Sequence, residues 1–267
     1  MHTKPWTCGL RTRHVTRETE HTAYPIGTST QTHTTARKAA HHVTHARLID
    51  TAAPSAPRGI ALVLHGGAAR RRPMRVSPTQ LSVLRMVPIA GRIARAAKGE
   101  LAVLRLLNST RGWDAHHTPV DDVRWALRQV ADRFGPDLPV TLVGHSLGGR
   151  AALLAAAEEP VVSAVALNPW VYPTEGRLDL TGRQVLVVHG DDDRIARPTN
   201  SAAVARDLAR TADRVGYVTV EGGKHAMLRR GTVFDRLAAD FTAATLLGRH
   251  PEGVVGRVLD GEEWVDV

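Results

Sequence analysis

The chain has 267 residues, of which 43% are hydrophobic, a formal net charge of +9 and a single cysteine, Cys8. One cysteine excludes an internal disulfide and favours a cytoplasmic setting. No run approaches the ~20 apolar residues of a membrane span, so stable membrane insertion is not expected.

Residues 1–45 are rich in Thr and His and poor in large apolar residues. They lack the roughly 7–15-residue apolar stretch of a signal peptide. Such a segment buries too little surface to offset its ordering entropy, so a disordered N-terminal extension is expected. His41, His42 and His45 lie close together. They come without residues to orient them as ligands, and no metal is predicted.

Residues 46–267 form the second expected unit, and about 220 residues are enough for one domain with a sizeable core. An edge strand is expected over 45–51, before the linker Pro54–Pro57. Buried strands are predicted at 60–64, 101–106, 140–143, 161–167, 184–188 and 215–220, and helices at 78–98, 119–134, 147–159, 199–213 and 232–246. The helix at 119–134 shows the logic. Pro119 starts it, Asp121 and Asp122 occupy its first turn, Val123, Leu127 and Val130 recur at helical spacing, and Gly135-Pro136 ends it. Alternating strands and helices predict an α/β fold, a mostly parallel sheet flanked by helices on both faces.

The stretch from Arg58 to Lys98 holds Arg70, Arg71, Arg72, Arg75, Arg85, Arg92 and Arg95, and no Asp or Glu. It lacks a nucleic-acid-binding motif or an aromatic platform, so a solvated basic face is expected and no nucleic-acid partner. Pro88 falls inside the helix at 78–98 and is expected to kink or restart it.

Chemistry enters after the strand at 140–143, in Gly144-His145-Ser146-Leu147-Gly148-Gly149. G-x-S-x-G between a strand and an alanine-rich helix places a serine hydroxyl on a tight, strained turn at the top of a sheet. The flanking glycines are needed where strand and helix come close. A serine hydroxyl needs a base beside it and a third group to orient that base. The strand at 184–188 opens into His189-Gly190-Asp191-Asp192-Asp193, and the strand at 215–220 opens into Glu221-Gly222-Gly223-Lys224-His225. The order Ser, Asp, His is therefore present, each at a strand exit. Three adjacent aspartates leave the acid open among Asp191, Asp192 and Asp193.

At these residues the chain resembles the α/β-hydrolase family, from about residue 58 to 248. His189-Gly190-x-x-Asp193 resembles its acid loop, Gly223-Lys224-His225 its histidine loop, and Leu62-Val63-Leu64-His65-Gly66-Gly67 its oxyanion strand and loop. More narrowly, Arg111-Gly112-Trp113-Asp114 and Asn168-Pro169-Trp170 resemble features of small bacterial, dienelactone-hydrolase-like or esterase-like members. The resemblance implies the α/β-hydrolase fold, Ser146 as nucleophile, His225 as base and Asp193 as acid. It also implies an oxyanion hole from the N–H groups of Leu147 and Gly67, with Ala68 as the alternative second donor. His65, His145 and His189 are expected to hold their loops.

The expected function is a serine hydrolase for carboxylic esters or thioesters of short to medium acyl chains, acting through an acyl-enzyme on small-molecule substrates without metal or organic cofactor. A peptidase or acyltransferase on the same triad, or a non-catalytic ligand-binding protein of this fold, are the alternatives. Only residues 168–183 separate two strands between which larger relatives carry a cap, so a minimal cap is expected. The sequence further suggests a small, open, apolar pocket covered by the 70–98 segment. Leu81, Leu84, Met86 and Val87 would pack inward, while Arg85, Arg92 and Arg95 would form a basic rim that favours anionic substrates. The oligomeric state is not readable.

Overall fold

The computed structural model describes residues 45–67 and 75–267. The N-terminal extension other than His45, together with Ala68 and Arg70 to Arg72, lies outside the described residues.

Among the described residues, eight strands form one sheet in the order β1-β3-β2-β4-β5-β6-β7-β8. They are β1 (Arg47–Ala52), β2 (Gly59–Leu64), β3 (Leu101–Leu107), β4 (Val140–His145), β5 (Val161–Leu167), β6 (Gln184–Gly190), β7 (Arg214–Val220) and β8 (Trp264–Asp266). Only β1 is antiparallel, paired with β3 at one edge. The other neighbours run parallel. The mostly parallel sheet expected from the sequence is therefore present, with β8 added at the far edge.

Among the described residues, seven helices connect and cover these strands: α1 (Leu81–Leu84), α2 (Met86–Ala97), α3 (Thr118–Phe134), α4 (Leu147–Leu154), α5 (Pro198–Leu208), α6 (Gly231–Leu247) and α7 (Val254–Leu259). Alternate strand residues face opposite layers. Ala61, Val63, Val103, Leu186 and Val218 join α2, α6 and α7 on one face. Ile60, Leu62, Leu104 and Leu142 join α3 and α4 on the other. Val185 and Val187 pack with α5 on that second face. Two apolar layers explain why the central strands read as continuous apolar runs.

The helix expected over 78–98 is two helices. α2 begins at Met86, so Pro88 sits in its first turn, where no intrahelical N–H bond is lost. Met86, Ile89 and Ile93 point inward, whereas Leu81, Leu84 and Val87 are exposed. Arg85 stays in the αR conformation between the two helices, and Val83, Met86, Ala90, Ile93 and Ala97 recur at helical spacing on the buried face, which leaves Leu81, Leu84 and Val87 on the exposed one. Between β5 and β6 there is only a short 3-10 turn, Pro173–Gly176, in keeping with a minimal cap. No helix among the described residues is long and apolar enough to cross a membrane.

Candidate active site

A strand exit and a close backbone crossing set Ser146. Ser146, between β4 and α4, has φ +56° and ψ −118°, a strained conformation for a non-glycine residue. Its flanking glycines are dictated by contact. A Cβ on Gly144 would lie 2.1 Å from the Gly148 carbonyl oxygen, and one on Gly148 would lie 2.4 Å from that of Leu64. The turn can close only because both lack side chains.

His225, in the loop after β7, reaches Ser146 from the opposite side. Its Nε2 is 2.9 Å from Ser146 Oγ, and its Nδ1 is 2.7 Å from Asp193 Oδ2. A carboxylate only accepts, so Nδ1 carries the proton and Nε2 accepts from the serine hydroxyl. The structure thus brings together the three residues that the sequence singled out. The neighbouring aspartates face elsewhere. Asp191 Oδ1 accepts from the Gly222 N–H at 2.7 Å, and Asp192 makes open ion pairs with Arg194 and Lys224.

Asp193 is fully engaged. Oδ1 accepts from the N–H groups of Ile195 and Ala196, at 2.8 and 2.9 Å. Oδ2 meets His225 and, at 3.3 Å, His189 Nε2. Burial pushes this carboxyl up, but the hydrogen bonds from His189, His225 and the Ile195 N–H outweigh it and hold it well below the usual carboxylate range. It stays charged, as a group opposing an imidazolium must.

The three histidines expected to hold loops do so. His65 Nε2 accepts from the Asn108 N–H at 3.1 Å, which leaves Nδ1 to donate to the Gly66 carbonyl at 2.6 Å. His189 Nδ1 lies 2.7 Å from Ser201 Oγ. His145 Nε2 lies 2.7 Å from the His225 carbonyl oxygen. Burial, with the charge of His225 adding to it, pushes the His145 imidazole down to about 3, so the ring is neutral.

The loop after β2 passes directly over the nucleophile. A Cβ on Gly66 would lie 3.2 Å from Ser146 Cβ, and one on Gly67 would lie 3.0 Å from the Gly112 nitrogen. This close approach, and not an ordinary strand exit, accounts for the glycine pair. Gly67 and Leu147 both line the cleft in front of Ser146. Leu147 is the first residue of α4, so its N–H has no intrahelical acceptor and lies at the positive end of the helix dipole.

The sequence does not name the partners in three further features. Asn168 is fully buried with φ +42°. Its Nδ2 donates to the Lys224 and His225 carbonyls at 3.0 and 3.2 Å, while Oδ1 accepts from the Gly190 N–H at 2.8 Å. One amide thereby ties the acid loop to the histidine loop. Gly190 and Gly223 complete that junction, since a Cβ on Gly190 would lie 2.3 Å from the Gly223 carbonyl oxygen. Arg150, one turn after Ser146, is buried and paired with Glu175, and its guanidinium lies 4.0 Å from the Trp113 ring centroid and 5.0 Å from that of Tyr172. Only Trp113, in its Arg-Gly-Trp-Asp run, and Asn168, in its Asn-Pro-Trp run, gave any signal, and neither run names its partner.

The cleft measures about 1610 Å³. That is above the ~300–1,000 Å³ of ordinary small-molecule sites, so the small pocket expected from the sequence is not what forms. The basic rim also differs. Arg85 is half-buried against Asp235 at 3.0 Å, and Arg92 borders a separate groove beside Asp240 and Glu252. Of the three expected arginines only Arg85 lines the cleft, together with Arg75, Arg111 and Arg230, and these last three have no carboxylate partner among the described residues. No cluster of three or more metal-ligating side chains occurs among the described residues.

The model of the family described as "Alpha/beta hydrolase family" matches residues 128–232, which span the Ser146, Asp193 and His225 loops. No curated protein matches the sequence significantly. Three solved structures are similar in fold. Est1E from Butyrivibrio proteoclasticus is 16% identical, covering 76% of this chain and 94% of its own, with a TM-score of 0.53. An alpha-beta serine hydrolase homologue from Coxiella burnetii is 18% identical, covering 74% and 92%, with a TM-score of 0.55. XC6422 from Xanthomonas campestris, described as an a/b serine hydrolase without lid, is 23% identical, covering 76% and 86%, with a TM-score of 0.50. At these identities the likeness establishes the fold.

Proposed function

We propose that this chain, a member of the α/β-hydrolase family, is a serine hydrolase that cleaves carboxylic esters or thioesters. The observation that carries the proposal is the unbroken line from Ser146 Oγ to His225 to Asp193, at 2.9 and 2.7 Å, beneath an open cleft. The likeness in fold to structures described as serine hydrolases supports the hydrolase class.

Ser146 Oγ attacks the acyl carbon while His225 Nε2 takes its proton. Asp193 fixes the tautomer and opposes the resulting imidazolium charge. The N–H groups of Leu147 and Gly67 stabilise the oxyanion. His225 then protonates the leaving group, and a water activated by the same nitrogen cleaves the acyl-enzyme. No cofactor enters these steps. The acyl length is not limited to short or medium chains here, because that limit rested on a small pocket. The lone Cys8 supports a cytoplasmic setting.

Steady-state hydrolysis of 4-nitrophenyl acetate by the purified protein and by Ser146→Ala tests this. The variant should lose about 10⁴-fold or more in kcat, retaining only what binding and the oxyanion hole contribute. Equal turnover by both proteins would refute the assignment.

A further inference from the structure

Five exposed large apolar side chains border one cleft. Leu228 and Leu81 are 84% and 83% exposed, Ile195 66%, Tyr172 51% and Leu84 44%. All five line the space in front of Ser146 and His225. Single exposed leucines need no explanation, but a contiguous set around one opening does.

Two of them are presented by backbone that the site itself fixes. Ile195 lies two residues after Asp193, and its N–H is held by Asp193 Oδ1 at 2.8 Å. Leu228 follows Met227, which is buried at φ +52°. A non-glycine residue is strained there, and the strain persists only where the surroundings impose it. Arg85 imposes it. Its Nε and Nη2 donate to the Ala226 and Met227 carbonyls, both at 3.2 Å, and Nη2 also pairs with Asp235 at 3.0 Å. With Met227 turned inward, Leu228 is held out over the opening. Leu81 and Leu84 are three residues apart on α1 and share a face. The acid loop, the histidine loop and α1 thus each hold apolar surface toward the same space.

We propose that Leu81, Leu84, Ile195 and Leu228 form a rigid specificity rim that seats a long acyl chain of the substrate. The proposal rests on the serine-hydrolase reading and adds the substrate class: long-chain acyl esters or thioesters. A chain laid across the rim removes its own methylenes and the four side chains from water together. Each buried methylene is then worth up to about four-fold in kcat/KM.

The test is kcat/KM for 4-nitrophenyl acetate, butyrate, octanoate and decanoate, each kept monomeric, with fluorophosphonate labelling of Ser146 run alongside. The expected result is a rise of at least ~50-fold from acetate to octanoate. Leu228→Ser and the double variant Leu81→Ser/Leu84→Ser should each lose about ten-fold more on octanoate than on acetate. These positions are exposed, so the variants are expected to fold. A fall in kcat/KM from butyrate onward, in protein whose Ser146 still takes the phosphonate, would overturn the rim while leaving the serine reading intact. So would variants that lose acetate and octanoate equally. An unlabelled Ser146 with no ester cleaved would overturn both.

Discussion

His145 donates a hydrogen bond from Nε2 to the carbonyl oxygen of His225, 2.7 Å away, so the residue beside Ser146 holds the backbone of His225. The direction is fixed because a carbonyl only accepts and a buried, neutral imidazole has one proton to give. Ser146 and His225 are therefore registered to each other through β4 itself, and the second donor, Asn168 Nδ2 at 3.2 Å, shares that carbonyl.

His145→Phe keeps the ring packing and removes the donor. We expect kcat to fall about ten- to 100-fold with KM little changed, since small misplacements of a base cost rate more than binding. His145→Gln, which returns an N–H at similar reach, should recover most of it. Equal loss in both variants, or a loss confined to KM, would show that the bond does not position the base.

Asp193→Asn should lower kcat by about 10⁴-fold, because one amide oxygen cannot accept both from the Ile195 and Ala196 N–H groups and from His225 Nδ1, and the wrong histidine tautomer is favoured. Asp191→Asn keeps an oxygen for the Gly222 N–H, and Asp192 makes only exposed ion pairs, so both changes should stay within about three-fold. Measured kcat across the three variants assigns the acid by experiment. A crippled Asp192→Asn would move it by one position.

The depressed His145 pKa has a consequence for acid stability. Below the unfolded value of 6.5 the unfolded chain binds a proton that the folded ring, at about 3, refuses. Stability is thus fully present above 6.5 and is lost as pH falls toward 3, by up to about 1.4 kcal/mol per pH unit. His65, lowered mainly by its burial, acts in the same direction. Denaturant titrations between about pH 6 and pH 4 should give a shallower pH dependence for His145→Phe than for the parent, by roughly this slope. Parallel curves would contradict the neutral, buried assignment.

Arg75, Arg111 and Arg230 give the cleft a positive field that the sequence had ascribed to Arg85, Arg92 and Arg95, of which Arg85 lines the cleft but is paired with Asp235. An anionic ester should be favoured over a matched neutral one by a few-fold at low salt, and the preference should fade as the screening length drops toward ~3 Å at 1 M salt. Arg111→Gln should reduce it further. A salt-independent ratio would remove the field from the account.

The clustering of Ser146, Asp193 and His225 was legible in the sequence because each follows a strand within three residues of a glycine, and those glycines turn out to be sites of close backbone contact at Gly144, Gly148, Gly190 and Gly223. The parallel sheet was legible in its apolar runs. What escaped depends on partners distant in sequence. Nothing local to Arg150 announces Glu175, and nothing in Asn168 announces the carbonyls of Lys224 and His225. The inward orientation assigned to Leu81 and Leu84 failed because the buried face of this segment is the one carrying Val83, Met86, Ala90 and Ile93, and Leu81 and Leu84 lie off it. α7 and β8 escaped as short elements, and β8 exists by pairing with β7.

Mass-spectrometric mapping of the protein after reaction with a fluorophosphonate tests the central claim most directly. A single phosphonyl adduct on the peptide containing Ser146, absent from Ser146→Ala and strongly slowed in His225→Ala, is the predicted result. No adduct, or an adduct that persists when Ser146 is alanine, would contradict it.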